Sequence, residues 1–376
     1  DRCYMAKCPI EQGHPPPGPA TRRRPRMKDY GLQLQEKQRL RNMYGMREGQ
    51  FRLFFQRALR SRGVTGEILL QVTVCGICHT ELDEIKGRTP PPRLPVVPGH
   101  QAVGRVQRVG ECVTAFREGD RAGVAWIYHA CGQCAQCAVG DENLCPDFCA
   151  TGRDADGGYA EFMTVSADFA HPIPLELEDA EAAPLLCAGA IGYRSLRLTQ
   201  LTGEGRLGLT GFGASGHLVL KLVRSRWPAV RVHVFSRSHA EREFARQLGA
   251  TWAGEISESP PEPLDAIIDT TPAWKPVVEA LRHLRPGGQL IINAIRKEDA
   301  DQSELLRLRY PEHLWMEKEI KSVANVTRRD VREFLCLAAQ AGLRPDVREY
   351  PLADANQALL ALKRGGQPGA KVLRIA

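Results

Sequence analysis

The apolar positions fall into two textures. From about Gly45 to Pro184 the runs are short and broken by Gly and Pro: "EILLQVTV", "AVGRVQRVG" and "DRAGVAW". Runs of that length between turn residues predict β-strands. Near Cys187 the pattern changes. "RLGLT" (206–210), "RVHVF" (231–235), "LDAIIDT" (264–270) and "GQLIINA" (288–294) alternate with helix-like stretches near 215–226, 239–248 and 274–284. Strands alternating with amphipathic helices predict a parallel sheet with crossover helices, so the chain reads as an α/β protein with a doubly wound half. After about residue 322 come a further strand candidate ("KSVANV"), the helix-like "RDVREFLCLAAQAG" and a closing apolar strand, "KVLRIA". No internal repeat is visible.

Residues 1–42 do not fit either texture. "GHPPPGP" and "TRRRPR" favour an extended, solvated chain, and the tract is expected to be a disordered basic extension. Its Arg-rich character also suits a transit peptide or a nucleic-acid arm. Residues 1–62 hold 15 Lys/Arg against 5 Asp/Glu, while the whole chain of 376 residues carries +7. The remainder is therefore slightly acidic, and the basic character belongs to the N-terminal stretch alone. The chain is 43% hydrophobic and 25% charged, which is ordinary globular composition. No run of about 18 apolar residues suggests a membrane span. With 12 cysteines and no secretory apolar segment at its start, the expected compartment is reducing and cytoplasmic, where clustered cysteines bind metal more often than they pair.

Four of those cysteines, Cys131, Cys134, Cys137 and Cys145, follow C-x2-C-x2-C-x7-C spacing. Four thiolates close the tetrahedral shell of zinc and leave no position for substrate, so this lobe (131–145) reads as a structural site. A second set is dispersed. "CGICHTELDEIKG" holds Cys78, "PVVPGHQAVGRV" holds His100 and "PLLCAGAIGYRSL" holds Cys187. Two thiolates and an imidazole form a known catalytic zinc set with an open fourth position, although spacing alone does not bring them together. The run "RLGLTGFGASGH" is strand, G-x-G-x-x-G and helix, with glycines at 211, 213 and 216. Those glycines permit the tight turn and the approach of backbone to a pyrophosphate at a helix N-terminus. At the end of the next strand, "VFSRSH" places Ser236 and Arg237 where NAD sites carry an acid. The missing carboxylate and the added guanidinium suit the 2′-phosphate of NADP. The alternative is NAD with Arg237 lying on the adenine.

In this order, these strings resemble the zinc-dependent medium-chain alcohol dehydrogenases from about residue 45 to the end. The resemblance implies a β-rich GroES-like catalytic domain over 43–187, a Rossmann cofactor domain over 188–322, and a return to the catalytic domain over 323–376. It implies two zinc ions, with Cys78, His100 and Cys187 holding the catalytic one, and NADP or NAD as cofactor. It also implies that Thr80 bonds the substrate oxygen and opens a proton relay. Glu81 stands where an acid orients the ligands, His79 near the pyrophosphate, and Trp126 in the substrate pocket. Three positions depart from the family. Gln101 replaces a Glu after the ligand His. Asp83 replaces the relay His, and its reference pKa near 3.9 lies well below the 6.5 of His. Ala370, with Lys371 beside it, replaces an Arg near the pyrophosphate. The expected activity is hydride transfer between small alcohols, primary ones first, and NAD(P), in a dimer or tetramer. Removing residues 1–42 is expected to leave that activity intact. The alternatives are a polyol or cinnamyl-type dehydrogenase of the same fold, and a zinc-ribbon protein binding nucleic acid through its basic tail. The zinc lobe's "AQCAVGDENLC" is not basic, which speaks against the last.

Overall fold

The computed structural model describes residues 65–364 and 369–376, so the expected extension over 1–42 lies outside the described residues. The first region runs β1 (Glu67–Ile77), α1 (His79–Ile85), β2 (Ala102–Val109), β3 (Arg121–Val124), β4 (Ile127–His129), β5 (Cys149–Ala150), β6 (Phe162–Ser166) and β7 (Ala170–Pro172). The middle region runs α2 (Ala190–Leu198), β8 (Arg206–Thr210), α3 (Ala214–Arg226), β9 (Arg231–Phe235), α4 (His239–Gln247), β10 (Trp252–Gly254), β11 (Leu264–Asp269), α5 (Lys275–His283), β12 (Leu284–Ile292) and β13 (Glu319–Ser322). The last region holds α6 (Arg328–Gln340), β14 (Val347–Pro351), α7 (Ala355–Arg364) and β15 (Ala370–Arg374).

The first sheet has seven strands in the order β14-β15-β1-β2-β3-β7, with β6 also on β1. β1 is its axis. One edge pairs with β2; the other pairs with β6 over Glu67–Gln71 and with β15 over Val74–Ile77. The C-terminal strand thus returns to the strand that leads into Cys78, and Lys371 lies across from Ile77. The apolar positions of "EILLQVTV" are all buried because this sheet closes on its own core, of which Ile68, Leu70, Val106 and Phe116 are part.

The second sheet is parallel, in the order β10-β9-β8-β11-β12-β13. Strands such as β8 (RLGLT) and β11 (LDAIID) are buried at all but one position, as helix cover on both faces requires. The order reverses between β8 and β11, so the crevice for a ligand opens at their carboxyl ends. Helix α6 does not pair with the returning strands. It packs on α2 and contributes Phe334 and Leu335 to the core of the second sheet. The strand expected from "KSVANV" is observed two residues earlier, as β13, because its pairing with β12 begins at Glu319.

Candidate active site

β1 delivers Cys78 to the N-cap of α1. The Cys78 backbone N–H donates to Glu81 Oε2 at 2.8 Å, and the other carboxylate oxygen of Glu81 lies 2.7 Å from His100 Nδ1. Glu81 is fully buried, so one carboxylate fixes both the start of the helix and the imidazole. With Nδ1 committed, Nε2 of His100 faces the sulfurs. His100 follows Gly99, whose φ is +100°; a side chain there would also strike the Tyr159 ring. Cys187 arrives from the other side on a single π-type turn, Leu185–Gly189, a backbone irregularity that often marks function.

The three ligand atoms converge. Cys78 Sγ is 3.9 Å from Cys187 Sγ, and His100 Nε2 is 3.3 Å from Cys187 Sγ. All lie within 4.8 Å of one another, and no fourth Cys, His, Asp or Glu joins them among the described residues. The hydrogen bond from Cys187 holds the Cys78 thiol well below its ordinary value, and the same bond and burial push Cys187 up. Burial opposes a charged His100, but Glu81 and Cys78 outweigh it and hold the imidazole well above its usual value. A site that stabilises a thiolate beside a fixed ring nitrogen, with three such ligands and no fourth among the described residues, fits a zinc ion with an exchangeable fourth ligand.

Cys131, Cys134, Cys137 and Cys145 form the second cluster, also within 4.8 Å of one another. The Cys131 N–H points to Cys145 Sγ at 3.3 Å, and the Cys137 N–H to Cys134 Sγ at 3.5 Å. Backbone N–H groups of Gln133 and Cys134 bring the Cys131 thiol down to about 7, whereas burial, then Cys134, pushes Cys137 up to about 12. Four sulfurs fit a closed zinc shell, and no His, Asp or Glu joins them among the described residues.

The other expected residues fall around the first centre. Thr80 is buried, with Oγ1 3.5 Å from Cys78 Sγ. His79 is exposed at the first position of α1. Trp126 is half-buried, its ring centroid 6.2 Å from that of His100 and 6.0 Å from that of Phe148, and its buried Nε1 has no partner. Asp83 is not free. Its carboxylate accepts from Arg88 and, across the domain boundary, from Arg296 Nε at 3.0 Å. Gln101 is buried beside Gly76, and Lys371 is buried with its pKa lowered by burial and then by Arg348.

The glycine turn opens α3. Gly211 has φ +78° and donates to Phe235 O at 2.9 Å, tying the turn to β9. A Cβ on Gly216 would meet Gly211 O at 2.8 Å, so the third glycine serves close packing of turn and helix. A Cβ on Gly213, the N-cap of α3, would meet nothing within 4 Å. That open space over a helix N-terminus fits the pyrophosphate of a dinucleotide. The turn faces Asp269 at the end of β11, which accepts from Thr210 and pairs with the buried Lys297. Two residues are missed from sequence. Arg296 has no local signal, since its partner lies 213 residues away. Glu241 has one: Ser238 and Glu241 stand in the S-x-x-E relation of a helix start.

Residues 64–175 match the family described as alcohol dehydrogenase GroES-like domain. Residues 2–73 match a second description, ribosomal protein S4/S9 N-terminal domain, which overlaps the first by ten residues. Over 319 residues the chain is 45% identical to a probable alcohol dehydrogenase AdhA of Mycobacterium tuberculosis, covering 84% of this chain and 90% of that one. It is 31% identical to an alcohol dehydrogenase of Geobacillus stearothermophilus, over 82% of this chain and 92% of the relative. Among solved structures, a cinnamyl alcohol dehydrogenase of Sorghum bicolor superposes with a TM-score of 0.72 at 28% identity, over 84% of this chain and 92% of that one. With the two cysteine centres, the glycine turn and these likenesses together, the chain belongs to the zinc-dependent medium-chain alcohol dehydrogenase family.

Proposed function

We propose that Cys78, His100 and Cys187 hold a catalytic zinc ion, that Cys131, Cys134, Cys137 and Cys145 hold a structural one, and that the substrate is a small primary alcohol or its aldehyde. The enzyme is an NAD(P)-dependent alcohol oxidoreductase. One observation carries the proposal: two sulfurs and a ring nitrogen converge within 4.8 Å with no fourth Cys, His, Asp or Glu beside them among the described residues. Zinc would supply Lewis acidity at the alcohol oxygen, and the dinucleotide would take the hydride from the adjoining carbon.

The chain's own residues then have these roles. Glu81 orients His100 and caps α1, so the ligand geometry is set before substrate arrives. Thr80, buried beside Cys78 Sγ, takes the alcohol proton on its Oγ1. Asp83 lies one turn further along α1, but its carboxylate is taken up by Arg88 and Arg296. The proton therefore leaves Thr80 towards solvent, and Asp83 bridges the domains. Trp126 lines the pocket next to His100 and helps to exclude water. Gly211 and Gly213 bring the backbone to the pyrophosphate while Gly216 lets the turn pack on the helix, with His79 at the same mouth, and Ser236 marks the adenosine ribose. All seven proposed zinc ligands lie outside the S4-like stretch over 2–73.

Cys78→Ala is expected to abolish turnover and remove one of two zinc ions per chain, with the circular dichroism spectrum kept. Full turnover in that variant would overturn the ligand assignment. Initial rates on ethanol, sorbitol and cinnamyl alcohol separate the primary-alcohol reading from the polyol and cinnamyl ones. No helix among the described residues is long and apolar enough to cross a membrane. The same proposal takes the enzyme as a cytoplasmic homo-oligomer, which light scattering checks through a mass above the 41.6 kDa of one chain.

A further inference from the structure

The carboxyl end of β9 decides which dinucleotide fits, because the adenosine ribose lies there in doubly wound folds. Sequence alone finds no acid at this point and favours NADP. The folded chain places one there by another route. Ser236 is buried at the tip of β9, its backbone N–H bonded to Gly254 O at 3.0 Å. Its hydroxyl donates to Glu241 Oε2 at 2.5 Å and accepts from the Ser238 N–H at 3.1 Å. Glu241 is held in place from its own side as well, since its backbone N–H donates to the N-cap hydroxyl of Ser238 at 3.3 Å. The first turn of α4 thus returns a carboxylate to the strand end from five residues downstream.

We propose that Glu241 selects the cofactor, accepting the ribose 2′-hydroxyl of NAD and rejecting the 2′-phosphate of NADP. The inference rests on the dehydrogenase reading above and sharpens it. Three features carry it. First, a carboxylate offers only acceptors, and a 2′-phosphate also offers acceptors and negative charge, so the two repel at contact. Second, the Ser236 proton, the one donor that could greet a phosphate, is already spent on Glu241. Third, the nearby guanidinium groups do not reverse the balance. Arg242 is turned beneath the strand end, donating to Ser236 O at 2.7 Å and Arg237 O at 3.2 Å and pairing with Glu255 at 3.4 Å. Arg237 is exposed and has no carboxylate partner among the described residues. An exposed guanidinium contributes little to an ion pair, whereas the Glu241 carboxylate is anchored by the Ser236 hydroxyl and its backbone by Ser238. Arg237 remains well placed to lie on the adenine, the other role natural to it.

The test is direct binding, which does not depend on turnover. NADH and NADPH are titrated by fluorescence into the full, zinc-loaded chain, into Glu241→Gln, and into Glu241→Lys. The wild type is expected to bind NADH at least about tenfold more tightly than NADPH, the ratio that about 1.4 kcal/mol gives. Glu241→Gln should cut that ratio to near unity, and Glu241→Lys should invert it. Glu241 lies on the half-exposed first turn of a surface helix, so both variants are expected to fold, and a circular dichroism spectrum confirms it. Ser236→Ala supplies a second arm: it frees the carboxylate from its anchor and should narrow the ratio without a change in charge. Tighter binding of NADPH by the wild type, or a ratio unmoved in Glu241→Gln, would overturn the selector role and leave the dehydrogenase reading standing. Binding of neither dinucleotide to the wild type would bring down both.

Discussion

Glu84 shows what a single buried acid does to this enzyme. It lies on α1 three residues after Glu81, is almost wholly buried, and leaves its Oε1 without a hydrogen-bond partner. Burial, and then the charge of Glu81, pushes its carboxyl up to about 9 from 4.5. The folded chain therefore keeps a proton that the unfolded chain releases, and stability falls as pH climbs from about 4.5 to about 9. Glu84→Gln keeps the shape and removes the titration. It is expected to melt a few degrees above the wild type at pH 8 and to lose that advantage near pH 4.5. Melting curves of both proteins across that range check this, and coincident curves at pH 8 would refute it. Residues of this kind are the hardest to read in advance. Despite the acids in "HTELDEI", every position from Thr80 to Ile85 is buried, because α7 packs on α1 and Arg296 reaches Asp83 from the second domain. Cys78, His100 and Cys187 are a different case: neither their spacing nor their residue types group them, and only the resemblance of the strings around them to the dehydrogenase family does. The occupation of Asp83 by two arginines is not readable, since one of them comes from the far side of the cleft.

At the scale of elements, the lobe over 131–145 does more than close on itself. Glu142, buried within it, accepts from the Arg328 N–H at 2.9 Å and from Arg328 Nε at 3.0 Å, at the start of α6. Asn143 Nδ2 donates to Ala324 O at 2.5 Å, and Asp141 pairs with Arg194 of α2 at 3.3 Å. The lobe is thus a strut between the first domain and the segment that carries the chain back to it. The cysteine spacing announces the metal, but the strut joins residues some 180 positions apart, and no local pattern announces that. Removing one thiol should loosen both ends. Cys131→Ala is expected to retain one zinc per chain, to lower the melting temperature, and to be cut by protease within 131–145 sooner than the wild type. If the variant keeps two zinc ions per chain and its melting temperature, the four-sulfur site is not what holds the lobe.

At the scale of the whole molecule, two likenesses meet in one strand. The S4-like match runs to residue 73 and the GroES-like match begins at 64, so the first seven residues of β1 belong to both. The fold settles which of the two they serve. Ile68, Leu70 and Val72 are buried in the first sheet, where β1 pairs with β2 and β6. Among the described residues the earliest backbone tie is at Gly66, whose N–H donates to Glu111 O at 2.8 Å and whose carbonyl accepts from Ala167 N at 2.9 Å. Two truncations therefore have opposite outcomes. Removing residues 1–62 spares every one of these ties and is expected to leave turnover and melting temperature unchanged. It also strips the basic excess, leaving a net charge near −3 in place of +7. Any retention of the full chain on an RNA column at low salt should vanish with it, since such binding follows phosphate contacts by Lys and Arg. Removing residues 1–73 takes out seven of the eleven residues of the axis strand and should yield an insoluble or unfolded chain. Loss of turnover on removing only the first 62 residues would mean that the S4-like segment takes part in the enzyme, and that the catalytic unit does not begin at β1.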